Sequence, residues 1–493
     1  MEEVLEDVAV PSAGRTSDGA GPGTGIGSVE IHSIDYVPES ERHGSVPAQG
    51  IFWFLGNFQF FTVAIGFVGV SLGLSARDTI IAATLGVAFG TLFMAFHATQ
   101  GPHLGLPQMI QSRAQLGYSG VIVALAGSFT MYMLFNVVDV ILLGAGLHGA
   151  FGWNPVAVGV VTTVIATVLA IYGHDLLHLV FRVLFAITVP VYAVLSIAVF
   201  SGNAGGYPPA TGEFTWTAFM ATFTVAAAYN ITYAPYVSDY SRYLPRSSRT
   251  APLVTAVYLG AAAAAIWLMA LGAWLAGSLG ADDALVALQV AGNQVFGGFG
   301  PLLVLLSAVA GMATMGINAY GAMLSTVTAV DSVRKVTPTR GVRLATLVVL
   351  GLTWCAGGLA VGGNAIAAVF NVLIVMLYLL VPWTAINLVD YFFVRRGRYA
   401  ILDLFDPHGI YGRWGSRGLI SFAVGLLVMA PFYVIPGVVA GPAARALGGV
   451  DISAIVGLVV SGLVYFLLTR SLDLSAEEPA IARSERLIAE ELP

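Results

Sequence analysis

The sequence predicts an all-α polytopic membrane protein with twelve transmembrane helices, and three observations carry that prediction. Charge is scarce: 57% of the 493 residues are hydrophobic and only 10% are charged, against roughly 25% in a soluble domain. Apolar windows of about 20 residues, enough to cross a hydrocarbon core of about 30 Å, recur along almost the whole chain. The basic residues fall almost entirely on one side of the resulting ladder of spans.

In order, the spans fall at about 51–74, 79–98, 119–147, 155–173, 180–200, 214–240, 252–279, 300–329, 342–361, 364–394, 418–440 and 450–469. The stretch 1–28, acidic and rich in glycine and serine, has too little apolar surface to fold and is expected to be a disordered tail. A pre-membrane segment occupies 29–50, and 470–493 form an acidic tail with a short amphipathic helix around Ile481 to Leu487. The 58 glycines would be costly in a bundle of soluble helices, but in a bilayer they permit close helix contacts and breaks. Cys355 is the only cysteine, so no intrachain disulfide can form.

Alternating the loops places 19 of the 21 Lys and Arg residues on one face, with only Arg77 and Arg445 opposite. The positive-inside rule then puts both termini in the cytoplasm and the protein in the cell membrane. The loops are short and leave no room for a soluble domain. HExxH, GxSxG and Walker motifs are absent, so the chain does not read as an enzyme or an ATP-driven pump, and it calls for no metal or cofactor. Nothing implies nucleic acid or an obligate protein partner; the expected partners are the bilayer and a small solute.

Two spans carry polar or helix-breaking residues at mid-membrane depth, where each unsatisfied backbone group costs several kcal/mol unless it lines a cavity. The first reads GNFQFFTVAIGF, with Asn57, Phe58, Gln59 and Thr62; the sixth reads AAAYNITYAPYVSDYSRYLP, with Asn230 and Pro235. Interrupted helices at matching positions of two halves point to a midplane transport site. Ordinary packing kinks are the competing reading of either span alone.

Three motifs then carry a resemblance: GLPQMIQSRAQLGYSG at 105–120, SDYSRYLP at 238–245 and VPWTAINLVDYFFVRRGRY at 381–399, with VEIHSIDYVPESERHG at 29–44 before them. Together they resemble the nucleobase–cation–symport-1 family, in its purine and cytosine permease branch. The resemblance implies a five-plus-five inverted repeat of leucine-transporter type, 51–200 and 214–394, followed by two extra helices at 418–469. It also implies secondary active uptake of a planar heterocycle by alternating access. Cytosine or a purine is the expected class; allantoin, a hydantoin or a vitamin is the alternative.

A planar base offers two π faces and an edge of donors and acceptors, so its pocket wants aromatics and side-chain amides. The resemblance puts the aromatic and amide of the third span at Tyr132 and Asn136, where the family usually has tryptophan at the first. It puts a second stacking aromatic at Tyr229, with Asn230 and Tyr233 beside it, and an edge-reading amide at Asn318. Asn57, Phe58 and Gln59 complete the expected lining; a purely structural amide network between the first and eighth spans is the alternative.

Sodium-dependent members of the family place adjacent Ser and Thr hydroxyls in the eighth span, and here those positions are Met312 and Ala313. A thioether and a methyl give a hard cation no oxygen; Thr314 would serve only with the register shifted by one. The expected coupling ion is therefore H+, carried by Asp139, three residues beyond Asn136; sodium coupling is the alternative. Asp239 and Asp390, near the cytoplasmic ends, read as solvated or gating groups, and Arg113 and Arg242 as residues paired with headgroups or helix termini.

Overall fold

The structure is a computed structural model and describes residues 35–172, 174–206, 211–334, 339–361 and 365–491. The tail expected at 1–28 lies outside them.

The first helix begins at Val46, earlier than the apolar window suggests, because Ser45 is extended and Pro47 sits at its first positions, where a missing N–H costs nothing. It runs as α1a (Val46–Asn57), breaks, and resumes as α1b (Phe60–Ser71) with a 57° bend. Then come α2 (Ala76–His97), α3 (Ile122–Phe151), α4 (Pro155–Tyr172) and α5 (His174–Phe200). Ser75 caps α2 by accepting from the Asp78 amide, and α3 ends at Gly152, whose φ of 72° is the left-handed form that suits glycine.

The second half opens with another broken helix, α6a (Trp216–Ile231) and α6b (Ala234–Ser241), with Pro235 restarting the second piece. It continues through α7 (Thr250–Leu279), α8 (Phe299–Asp331), α9 (Arg340–Ala360) and α10 (Ala365–Val389), the last running on in a π-helical turn to Val394. α11 (Ser416–Met429) and α12 (Ser453–Thr469) follow, and α13 (Glu478–Glu491) closes the described chain.

Eight of these helices are individually long and apolar enough to cross a bilayer, and α1a with α1b passes as a broken pair. Each of the twelve expected windows contains at least one helix. Besides single turns such as Gln100–Leu104 and Pro442–Ala446, a longer helix was not expected: Ala284–Val295, between α7 and α8, apolar but only 12 residues long. Asp283 caps it by accepting from the amides of Leu285 and Val286, and it buries Leu285 and Leu288. The C-terminal amphipathic helix is twice the expected length.

The packing repeats with an offset of five helices. α1a and α1b lie along α7, as α6a lies along α2; α3 packs on α8; α3 meets α9 as α8 meets α4. Glycine permits the closest of these contacts: a Cβ on Gly272 would lie 2.0 Å from the Val63 carbonyl, and one on Gly90 would lie 2.2 Å from that of Ala227. These are small-residue interfaces of the kind that bring backbones together where the hydrophobic effect gives no drive.

Candidate substrate site

The two breaks supply the geometry. Phe58 (φ −93°, ψ 70°) and Gln59 (φ −143°, ψ 162°) leave the last carbonyls of α1a without helical partners. Side chains satisfy the last two: Thr62 Oγ1 donates to Asn57 O at 2.7 Å and the Tyr233 hydroxyl, from the second break, to Gly56 O at 3.0 Å, while Asn57 Nδ2 donates one turn back to Trp53 O at 2.9 Å. The breaks are thus joined to each other.

Around that junction, Tyr229 gathers polar contacts. Its hydroxyl lies 2.7 Å from Thr62 Oγ1 and 3.1 Å from the Tyr233 hydroxyl, and it accepts from Gln59 Nε2 at 3.3 Å. Its ring stacks on Phe61 (centroids 6.0 Å, planes 15° apart), while Tyr233 stacks on Phe135 (6.3 Å, 24°).

A second group lies one turn further along the sixth helix. Tyr132 meets Tyr236 edge to face, with centroids 4.6 Å apart. The Tyr236 hydroxyl donates to Asn318 Oδ1 at 2.6 Å, Asn318 Nδ2 donates to Asn136 Oδ1 at 3.0 Å, and Asn136 Nδ2 donates to Met315 O at 3.1 Å. This relay fixes which way each amide points. Tyr236 also touches Tyr233, at 5.4 Å, so the two groups form one aromatic chain through α1b, α3 and the broken sixth helix, with Asn318 of α8 bonded to it.

Of the expected residues, the structure therefore brings together Tyr132, Asn136, Tyr229, Tyr233, Asn318 and Gln59, with Asn57 at the first break. Asp139, one turn along α3 from Asn136, is 1% exposed and within electrostatic reach of Tyr229, Tyr233 and Tyr236. Its Oδ1, like Asn57 Oδ1 and Gln59 Oε1, is buried without a hydrogen-bond partner.

Two expected residues are placed elsewhere. Phe58 packs on Tyr192 of α5 and Trp267 of α7 (5.3 and 5.1 Å), because the break swings it outward. Asn230 donates to Thr91 of α2 at 2.6 Å; as the helical neighbour of Tyr229 it faces about 100° away from it. Conversely Tyr236, Phe61 and Phe135 were missed. Tyr229, Tyr233 and Tyr236 stand at i, i+4 and i+7, the spacing of one helical face, and that stripe was the available signal.

Of the groups read as interfacial or solvated, Arg113, Arg242 and Asp390 are buried instead, and Asp239 is half-buried. Arg113 is fully buried and pairs with Asp331 at 3.0 Å, its guanidinium 4.1 Å from the Tyr118 ring. Burial, with Asp331 beside it, raises the Tyr118 hydroxyl pKa to about 12 even though Arg113 works the other way. Arg242 is 1% exposed, with contacts to the Asp35 carbonyl and the Tyr243 hydroxyl. Asp239 accepts from the Gln108 amide at 2.9 Å. Glutamines of the 105–120 motif form an internal seam: Gln108 donates to Gln100, Gln100 to Asn387 and Gln115 to Asp390.

Comparison with known proteins agrees with this architecture. Residues 36–457 match the family described as permeases for cytosine/purines, uracil, thiamine and allantoin. YxlA of Bacillus subtilis (strain 168), which bears a purine-cytosine permease name, is 35% identical over 447 residues, 90% of this chain and 96% of its own. The chain belongs to the nucleobase–cation–symport-1 family.

The permease shares its fold with solved structures of Mhp1, a transporter of that family. A closed form with bromovinylhydantoin bound gives a TM-score of 0.68 at 19% identity, over 94% of this chain and 96% of that one. An inward-facing form gives 0.66, also at 19%, over 94% and 95%. A Na+-coupled sialic acid symporter in a substrate-bound outward-open state gives 0.53 at 12%, over 88% and 92%, so the scaffold extends beyond the family. The chain is a multi-pass membrane transporter and not an enzyme.

Proposed function

We propose that the permease takes up a purine or pyrimidine nucleobase across the cell membrane by alternating access, coupled to protons. The observation that carries this reading is the junction of the two broken helices, where aromatic rings flank amides and three acceptor oxygens lack partners. The N–H edge of a base supplies donors for Asn57 Oδ1, Gln59 Oε1 and Asp139 Oδ1, and its faces suit the Tyr229 and Tyr132 groups. Unpaired, each such acceptor costs about 1 to 3 kcal/mol, so a donor-bearing ligand gains affinity by meeting them. All the site side chains are at most 5% exposed, which fits a closed state between two access states.

Proton coupling is supported at α8. Met312 and Ala313 offer a sodium ion no oxygen, and Thr314 Oγ1 donates to Ala310 O of its own helix at 3.2 Å. The basic bias of the loops supports cytoplasmic termini, and α13 would then lie on that face. A cysteine placed at Ser12 should stay unlabelled by impermeant reagent in intact cells; labelling there would reverse the topology.

Radiolabelled uptake in a transport-deficient cell, competed by unlabelled cytosine, adenine, guanine, hypoxanthine, uracil, allantoin and a hydantoin, tests the substrate class. Saturable uptake with counterflow, competed by a base at micromolar concentration, is expected. Competition only by allantoin, a hydantoin or, added to the same panel, thiamine would assign the rival substrate class, and unsaturable flux would make the protein a channel.

A further inference from the structure

At the ends of α10 and α12 lies a groove of about 400 Å³, walled on its third side by the start of α13. Four arginines line it, and two are already committed. Arg395 is held by both carboxylate oxygens of Glu477 at 2.9 Å, and Arg398 by both of Glu478 at 2.6 Å. Burial works against the Arg395 charge, but Asp390 and Glu477 hold its pKa above the ordinary value, so this pair is a fixed wall.

The other two are Arg396 and Arg470. Both are exposed, and among the described residues neither makes an ion pair; Arg470 rests over the Phe466 ring at 5.3 Å. Arg396 has a φ of 52°, alone among described non-glycine residues in taking a positive value. A left-handed arginine is a strained choice beside Gly397, and such strain persists where the surroundings or a ligand require that side chain there.

Two helix C-termini also face the groove, each equivalent to roughly half a negative charge. Those ends and the second carboxylate on Arg395, Asp390, offset the two free guanidinia in sum, but Asp390 is buried behind Arg395 while Arg396 and Arg470 stand at the open rim, where a planar fork suits phosphate oxygens. The apolar surroundings say what kind of anion. Phe393 is 65% exposed at the groove edge, and Val459, Leu463 and Leu467 of α12 form an exposed stripe at four-residue spacing that leads away from Arg470.

We propose that this groove binds an anionic phospholipid, with its phosphate between Arg396 and Arg470 and an acyl chain along the exposed stripe of α12. Glu477 and Glu478 tie α13 to the groove wall, so the bound lipid clamps the C-terminal helix against the ends of α10 and α12. Juxtamembrane arginines are worth roughly 1 kcal/mol each towards anionic lipid, or roughly fivefold in affinity.

The test uses the purified full-length chain in neutral detergent, titrated with phosphatidylglycerol, phosphatidylcholine or inorganic phosphate, and read by native mass spectrometry and thermal unfolding. Phosphatidylglycerol should bind stoichiometrically and raise Tm, with phosphatidylcholine at least fivefold weaker and inorganic phosphate without effect. Arg396→Gly suits the left-handed backbone, so it keeps or raises the lipid-free Tm while weakening phosphatidylglycerol binding at least fivefold. Arg470→Gln should weaken it similarly, and Arg334→Gln with Arg340→Gln, basic residues on another surface, should leave it unchanged. Wild-type binding by Arg396→Gly overturns the proposal, as does equal binding of the two lipids. A Tm shift with inorganic phosphate alone would also overturn it, assigning a free-anion site instead of a lipid one.

Discussion

Two buried carboxylates, Asp139 and Asp390, sit at different depths of the same bundle and live in opposite surroundings. Asp390, fully buried, accepts four hydrogen bonds: Arg395 and Tyr465 on Oδ1 at 2.7 and 2.8 Å, Gln115 and Tyr399 on Oδ2 at 2.7 and 2.8 Å. Asp139 is nearly as buried, yet its Oδ1 has no partner. A carboxylate with a cation and three further donors is held in one place, and it ties α10, α12, the glutamine seam and, through Arg395 and Glu477, the start of α13 into one unit. A carboxylate whose Oδ1 meets no donor is not held in that way, and it is the group to which the proposed proton coupling falls. Burial alone does not separate the two roles; the count of donors does.

Breaking the locked carboxylate should give the largest effect. Asp390→Ala leaves Arg395 to Glu477 alone and strands three further buried donors, on Gln115, Tyr399 and Tyr465, and a buried donor left unpaired costs about 1 to 3 kcal/mol. We expect a clear loss of folded protein after extraction and a lowered Tm by fluorescence-monitored unfolding. Wild-type stability in Asp390→Ala would show that the network is solvated and would end the contrast.

Asp139→Asn should behave in the opposite way, with stability changed by less than about 1 kcal/mol because no ion pair is lost. In proteoliposomes it should retain counterflow and lose accumulation driven by an imposed pH gradient. The wild-type protein should respond to that gradient and be indifferent to replacing sodium with choline at constant pH. Linkage demands that proton and substrate affinities alter each other by the same factor, so binding measured at two pH values must show the same coupling. Sodium-dependent concentrative uptake that ignores the pH gradient would sink proton coupling and reopen Thr314 as a ligand.

The contrast also separates what sequence can say from what it cannot. The helices were legible because apolar periodicity and span length are local properties, and both breaks were legible because Gln59 and Pro235 cannot sit quietly in mid-membrane. Partners were not legible. Arg113 reads as an interfacial arginine until Asp331, 218 positions away, is found beside it, and Arg395 depends on Glu477, 82 positions away. Phe58 and Asn230 show a subtler limit: they lie at the breaks as expected, but the rotation of each side chain depends on neighbours such as Trp267 and Thr91 that no local pattern specifies. Tyr236 failed for a different reason, since its place in the tyrosine stripe was visible and the intervening proline obscured it.

Within the proposed site, Asn318→Ala should raise the substrate dissociation constant about tenfold, from the loss of an edge hydrogen bond worth about 1 to 1.5 kcal/mol. Membrane abundance should change little. Asn230→Ala is the matched control, since its amide faces α2: binding should stay near the wild-type value even if stability falls. Equal binding losses in the two variants would mean that both act through packing.

The smallest expected effect is the most informative about the relay. Tyr236→Phe keeps the ring against Tyr132 and removes only the hydroxyl that donates to Asn318 Oδ1 at 2.6 Å. Without that donor the Asn318 amide can rotate, so its oxygen and nitrogen no longer present a fixed order to the edge of a base. A neutral hydrogen bond is worth about 1 kcal/mol, which sets the expected loss at roughly fivefold in affinity. Selectivity should suffer more than stability, with bases of differing donor and acceptor order becoming closer in Kd. Because the hydroxyl acts through Asn318, the two substitutions should not add: in a double-mutant cycle, Tyr236→Phe on the Asn318→Ala background should cost little further. Full additivity would show that the Tyr236 hydroxyl meets the substrate directly, and the relay would then be part of the pocket wall instead of a device that orients it.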